Sequence, residues 1–99
     1  MEKFFKVGEK EYMVDCWFSK GRGAIIAMVE IEKRDEFCHS YNPMEMKTLT
    51  VKEMSRDNKK KIAEIQSYVS SQGQMVAEAF VKGKDSLNEK IAEIRVFLA

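Results

Sequence analysis

The sequence predicts an α+β fold: an antiparallel β-meander of three to five strands over residues 3–52, then two or three helices over residues 57–98 packed on one sheet face. Two observations carry this reading. Up to Val51 the apolar residues recur at every second position, the period of a half-covered strand. Beyond Ser55 they recur at three- and four-residue intervals, the period of a helix. Strands first and helices after them is the order of a sheet with its helices gathered on one side.

The elements follow in order. Residues 3–7 form a short aromatic strand, and Gly8, Glu9, Lys10 and Glu11 make a polar link of hairpin length. In residues 12–19, Tyr12, Val14, Cys16 and Phe18 share one face while Met13, Asp15, Trp17 and Ser19 take the other. After Lys20, Gly21, Arg22 and Gly23 comes residues 24–33, apolar on both faces at its start and polar on one face at its end, as in a central strand. Residues 36–41 alternate again, and Asn42 and Pro43 are expected to end that strand, because proline removes a ladder donor. A further extended segment is expected at residues 47–51.

In the second half Ile62, Ile65, Val69, Val76, Phe80, Leu87, Ile91, Ile94 and Leu98 form one stripe. As a single helix it would be roughly 60 Å long, too long for one small domain. Gly83 and the weaker interruption at Gly73 predict breaks, giving helices at about 57–71, 74–83 and 86–98. Ser86 with Glu89, and Ser71 with Gln74, match the capping-box spacing. A protruding two-stranded coiled coil is the alternative, since the stripe nearly keeps its register.

The 99 residues are expected to form one domain with a β half (1–52) and a helical half (53–99). At 44% apolar and 33% charged the chain is globular rather than disordered. Lysine and arginine total 17 against 16 acids, nine and nine up to Lys52 and eight and seven beyond it, so neither half is a charged tail. The charged beginning MEKFFKVGEKE predicts no secretory leader, no apolar run approaches the roughly 18 residues needed to cross a bilayer, and two cysteines make no disulfide framework. A cytoplasmic protein with no membrane association is expected.

The chemistry the residues allow is narrow. A phosphate-cradling loop needs a helix after its glycines, whereas a strand follows Gly23, so a hairpin turn accounts for Gly21 and Gly23. His39 is the only histidine. On a strand its neighbour Cys38 points to the opposite face, so the two make no thiolate–imidazole pair. Cys16, Cys38 and His39 lack zinc-ligand spacing. Glu64, Glu78, Glu89 and Glu93 fall among lysines as a solvated helix face. No catalytic residue, metal or cofactor is assigned, and no motif carries a family resemblance specific enough to name.

Two surfaces remain. Beside the stripe, Tyr68, Met75, Ala77, Ala79, Val81, Ala92, Val96 and Phe97 widen the apolar area of the last helices beyond one face, which predicts a homodimer through the C-terminal helices with Phe80, Val81, Val96 and Phe97 at its interface. The seven methionines would suit an adaptable interface. The leading expectation is thus a non-enzymatic module that docks on a protein partner as regulator, adaptor or inhibitor. The alternative is a single-stranded DNA or RNA binder. It would use an uncovered sheet face showing some of Phe5, Trp17 and Tyr41, with Lys20, Arg22 and the cluster Lys59, Lys60 and Lys61. Cations at a helix start oppose its dipole, which makes that triplet a candidate anion contact.

Overall fold

The computed structural model describes residues 3–35, 37, 38 and 40–99. Four strands, β1 (Lys3–Val7), β2 (Lys10–Ser19), β3 (Gly23–Asp35) and β4 (Ser40–Lys52), precede three helices, α1 (Lys59–Ser71), α2 (Gly73–Lys82) and α3 (Lys84–Leu98). The strands form one antiparallel sheet in sequence order, β1-β2-β3-β4, so β1 and β4 are its edges. Among the described residues, no helix is long and apolar enough to cross a membrane.

All three helices contribute to one core with the even-numbered residues of the central strands. Tyr12, Val14 and Cys16 of β2 and Ala24, Ile26 and Met28 of β3 meet Ile65, Val76, Leu87 and Ile94. The helical stripe read from the sequence is therefore satisfied by the chain's own sheet, and no coiled coil projects. Side chains from the helices also reach backbone carbonyls of the strands. Gln66 Nε2 donates to Cys16 O at 3.2 Å and Gln74 Nε2 to Lys6 O at 2.8 Å.

The opposite face has no helix on it, yet Met13, Val29 and Ile31 are buried there with Phe4 and Tyr41 packed against them. Phe4 lies on β1 and Tyr41 on β4, and their rings meet edge to face with centroids 5.6 Å apart. Contact between the two edge strands means that the sheet curls across its full width. Register shifts between Val29 and Ile31, and between Ile31 and Lys33, supply the bend, since a bulge kinks its strand and increases local twist. Arg34 closes the seam: its guanidinium carbon sits 4.6 Å from the Phe4 ring centroid and its Nη2 donates to Glu11 Oε2 at 3.4 Å. Its Nε lies 2.8 Å from Glu11 Oε1, an ionic contact off the hydrogen-bond axis.

Several expectations need correction. Asn42 and Pro43 do not end a strand; β4 runs through them to Lys52 as one strand. Proline is tolerated because an edge strand can aim the missing N–H away from the ladder. Phe5 packs under the helices and Phe4 takes the helix-free face. Neither capping box forms. Helix α3 starts at Lys84 with Gly83 as its N-cap, so Ser86 lies inside its first turn, and α2 starts from Gln72 without a side-chain cap. Ser71 instead donates its hydroxyl to Tyr68 O at 2.6 Å. Gly73 is less a breaker than a point of close approach, since a Cβ there would run into the Phe5 ring.

Candidate functional site

The glycine-flanked arginine is a turn. Arg22 N–H donates to Ser19 O at 3.1 Å, and Gly21 and Gly23 take φ of 88° and 79°. A strand follows at once, so no helix N-terminus aims amides at an anion. Gly23 is required twice over: its φ is left-handed, and a Cβ would collide with the backbone of Lys52, Glu53 and Met54.

That contact draws the loop before α1 to the β2–β3 turn. Ser19, Lys20, Gly21, Met54, Arg56 and Asp57 are among the residues lining an open pocket of about 410 Å³. Lys59 and Lys60, both exposed, follow directly, and the first turn of α1 carries no acid. Asn58 Oδ1 caps the helix by accepting from Lys61 N–H at 3.0 Å. Lys20 and the Lys59–Lys61 cluster are thus brought to one end. Trp17 and Arg22 are not: Trp17 falls by alternation on the helix-free face beside Ile25, and Arg22 Nη1 reaches Thr48 Oγ1 at 3.3 Å, whose β3 partner Ala27 faces the same way. Two of the aromatics that would make a stacking platform there, Phe4 and Tyr41, face each other.

The four apolar residues assigned to the C-terminal helices also separate. Phe80 is partly buried against the core, edge to face with Tyr12 at 5.9 Å. Val81 is half exposed near the end of α2, next to the turn that starts α3. Val96 and Phe97 lie at the far end of α3, about 20 Å away along the helix axis. They are 78% and 65% exposed, and Phe97 stacks on Tyr68 with centroids 4.0 Å apart. The four do not make one continuous surface; Val96 and Phe97 make a small patch beside Tyr68.

Residues missed in the sequence lie on the β3–β4 hairpin. Phe37 is 97% exposed at its tip. Asp35 Oδ1 accepts from the backbone N–H of Phe37 at 3.0 Å and of Cys38 at 3.2 Å, which holds the tip in shape. These bonds, the Cys38 backbone N–H first, then its side chain and the Phe37 N–H, pull the Asp35 carboxyl below its ordinary value. The available signal was an aspartate two and three residues ahead of the amides it caps.

Cys16 and Cys38 are free thiols, the first buried and the second exposed. Burial, and secondarily the charge of Asp15, pushes the Cys16 thiol up to about 11, the reverse of what a thiolate nucleophile needs. His39 lies outside the described residues. Among the described residues, no three His, Cys, Asp or Glu side chains gather where a metal ion could be held. Comparison with protein-family models, with curated proteins and with solved structures finds no match for this chain.

Proposed function

We propose that the chain is a non-enzymatic binding module that docks on a protein partner, as regulator, adaptor or inhibitor, through the last turn of α3. The observation that carries this reading is that Val96 and Phe97 stay largely exposed on a helix whose Leu87, Ile91, Ile94 and Leu98 already supply its share of the core. An aromatic ring held flat against Tyr68 is a stiff anchor, and rigid aromatics dominate binding energy at protein interfaces. A near-neutral net charge fits a protein partner better than a polyanion. Free thiols at Cys16 and Cys38 fit a reducing compartment such as the cytoplasm.

The test is capture from a native lysate with and without nuclease, using the natural chain and Val96→Asp. Val96 is exposed, so the substitution should change stability by no more than about 0.5 kcal/mol. A partner retained after nuclease and lost with V96D is the expected result. Retention unaffected by V96D, or abolished by nuclease, would overturn this reading.

The basic end supports a second reading, single-strand nucleic-acid binding by Lys20, Arg56, Lys59 and Lys60. It requires oligonucleotides to bind at low salt with an affinity that falls steeply as salt rises. Because Trp17 stands on the other face, the readout is anisotropy of a labelled oligonucleotide in addition to tryptophan quenching. No binding at low salt, or binding that survives Lys59→Glu with Lys60→Glu, excludes this end as the site.

A further inference from the structure

The free edges of the sheet are closed by side chains from the helices. Alternation fixes which backbone groups point outward, since both groups of a residue in an antiparallel strand face the same side and alternate residues face opposite sides. A two-residue hairpin turn closes on a hydrogen-bonded pair, here Val7 and Lys10, so Phe5 and Lys3 face β2 while Phe4 and Lys6 face outward. On β2 the same count turns Tyr12 and Val14 toward β1, and Cys16 and Phe18 to that side beyond Lys3, where β1 begins. Trp17 opposite Ile25 and Leu49 opposite Ile26 then leave Thr50, Thr48 and Met46 facing out from β4.

Among the described residues three helix side chains cross to strand carbonyls, and each takes one of these outward ones. Gln74 Nε2 of α2 donates to Lys6 O at 2.8 Å and Gln66 Nε2 of α1 to Cys16 O at 3.2 Å. Arg95 of α3 donates twice to Thr50 O, from Nε at 3.0 Å and from Nη2 at 2.9 Å. Lys52 returns the tie from β4, its Nζ donating to Leu98 O at 2.7 Å, which holds the last turn of α3 over the edge. The Cys16 N–H is occupied as well, by Asp15 Oδ1 at 2.8 Å. What stays open is broken into short pieces. Phe4 and Phe18 are single outward residues. On β4, Met46 and Thr48 stand between the capped Thr50 and a bulge opposite Glu30, beyond which Pro43 has no N–H.

Gln66, Gln74 and Arg95 are all exposed. Water satisfies a carbonyl in such a place, so a tethered donor adds little to the stability of the chain itself. Water does not keep out another strand, whereas a donor already held on the carbonyl does. Unblocked edges pair readily with strands of other molecules. We infer that Gln66, Gln74 and Arg95 guard the sheet edges against β pairing with a second copy of this chain. Arg95 matters most, because without it the open run on β4 extends over Met46, Thr48 and Thr50. Loss of Gln74 frees a shorter run, Phe4 and Lys6. Loss of Gln66 frees least, since Asp15 still holds the Cys16 N–H. This role is independent of partner docking at Val96 and Phe97.

Sedimentation of the full chain from about 10 µM to about 1 mM, spanning the range for a weak pair, provides the test. Arg95→Ala should self-associate at least about tenfold more tightly than the natural chain, Gln74→Ala less so, and Gln66→Ala no more than the natural chain. Adding Thr48→Pro to R95A removes an outward N–H that β3 does not use, and should return association to the natural level. Thr48→Lys leaves the backbone intact and places like charges on the two strands of any β4 pair, so it should do the same where the proline unfolds the chain. Circular dichroism confirms that each variant is folded. An Arg95→Ala chain that sediments as the natural chain does up to about 1 mM overturns the inference. So does association that survives both changes at Thr48, which would not run through the β4 edge, and so does equal association in all three alanine variants, because the runs they open are unequal. A melting temperature more than about 8 °C lower with Arg95→Ala and no association would make the cap a bond that stabilises the fold, and overturns it too.

Discussion

Burial among the helix-facing side chains holds the Cys16 thiol up at about 11 against an ordinary 9.0, with Asp15 adding to the effect. The sign of the resulting stability change follows from proton counting. Below pH 9 both folded and unfolded chains keep the proton. Between pH 9 and 11 the unfolded chain releases it while the folded chain retains it, so unfolding becomes easier as pH rises. Urea denaturation should therefore show stability falling across that window, and the part of the slope that disappears in Cys16→Val is the part this thiol contributes. A disulfide reagent near pH 8 should label Cys38 alone until the protein is unfolded. The cysteines were legible as residues, but their separate fates were not: only the three-dimensional packing puts one in the core beneath the helices and the other on a hairpin tip. Gly23 is similar. Its role as a turn glycine could be read from its neighbours, whereas its close approach to Lys52 and Glu53, thirty residues on, could not.

Among the elements, β2, β3 and the three helices lie close to where periodicity puts them, because each buries a face against a large core and the pattern records that burial. The sequence alone divides β4 in two, since Pro43 is a strong local signal and edge position is not a local property. The sequence pattern starts α2 one residue late for a related reason. Gly73 reads as a breaker, but it begins a helix that must come close to β1. A Cβ at this position would overlap the Phe5 ring, so Gly73→Ala should destabilise the protein by about 1–3 kcal/mol as an overpacked site. In a Phe5→Leu background the same substitution should cost distinctly less. Equal costs in the two backgrounds, measured by thermal or urea unfolding, would mean that the helix absorbs the methyl elsewhere.

Taken whole, the molecule buries both faces of its sheet with helices on only one. Met28 faces the helices and Met13 faces the curled side, and both are essentially free of solvent. Met28→Ala and Met13→Ala should each cost about 2–5 kcal/mol, the range for truncating a buried methionine. Both should unfold in one cooperative transition, because β2 and β3 carry residues of each core. A small cost at Met13 would mean the curled face opens freely in solution and would restore it as a platform for stacking. The same curl explains why the candidate surfaces were only partly legible. Lys20 and the Lys59–Lys61 cluster were named and do share an end, yet Trp17 and Arg22 lie across the sheet from them. Val96 and Phe97 were named as surplus and are exposed, yet Phe80 and Val81 belong elsewhere.

Residue order alone is enough for the α+β succession, the antiparallel meander, the central place of β3 and the breaks between helices. These are consequences of which residues avoid water at a period of two or of about 3.6, and of where glycine relaxes the backbone. Long-range packing sets which aromatic residues close over the second face, that β4 passes through Pro43, and which apolar residues are left outside. Those outcomes depend on contacts between residues far apart in the chain, Phe4 with Tyr41 and Tyr68 with Phe97. Periodicity records that a side chain is covered, but not by what.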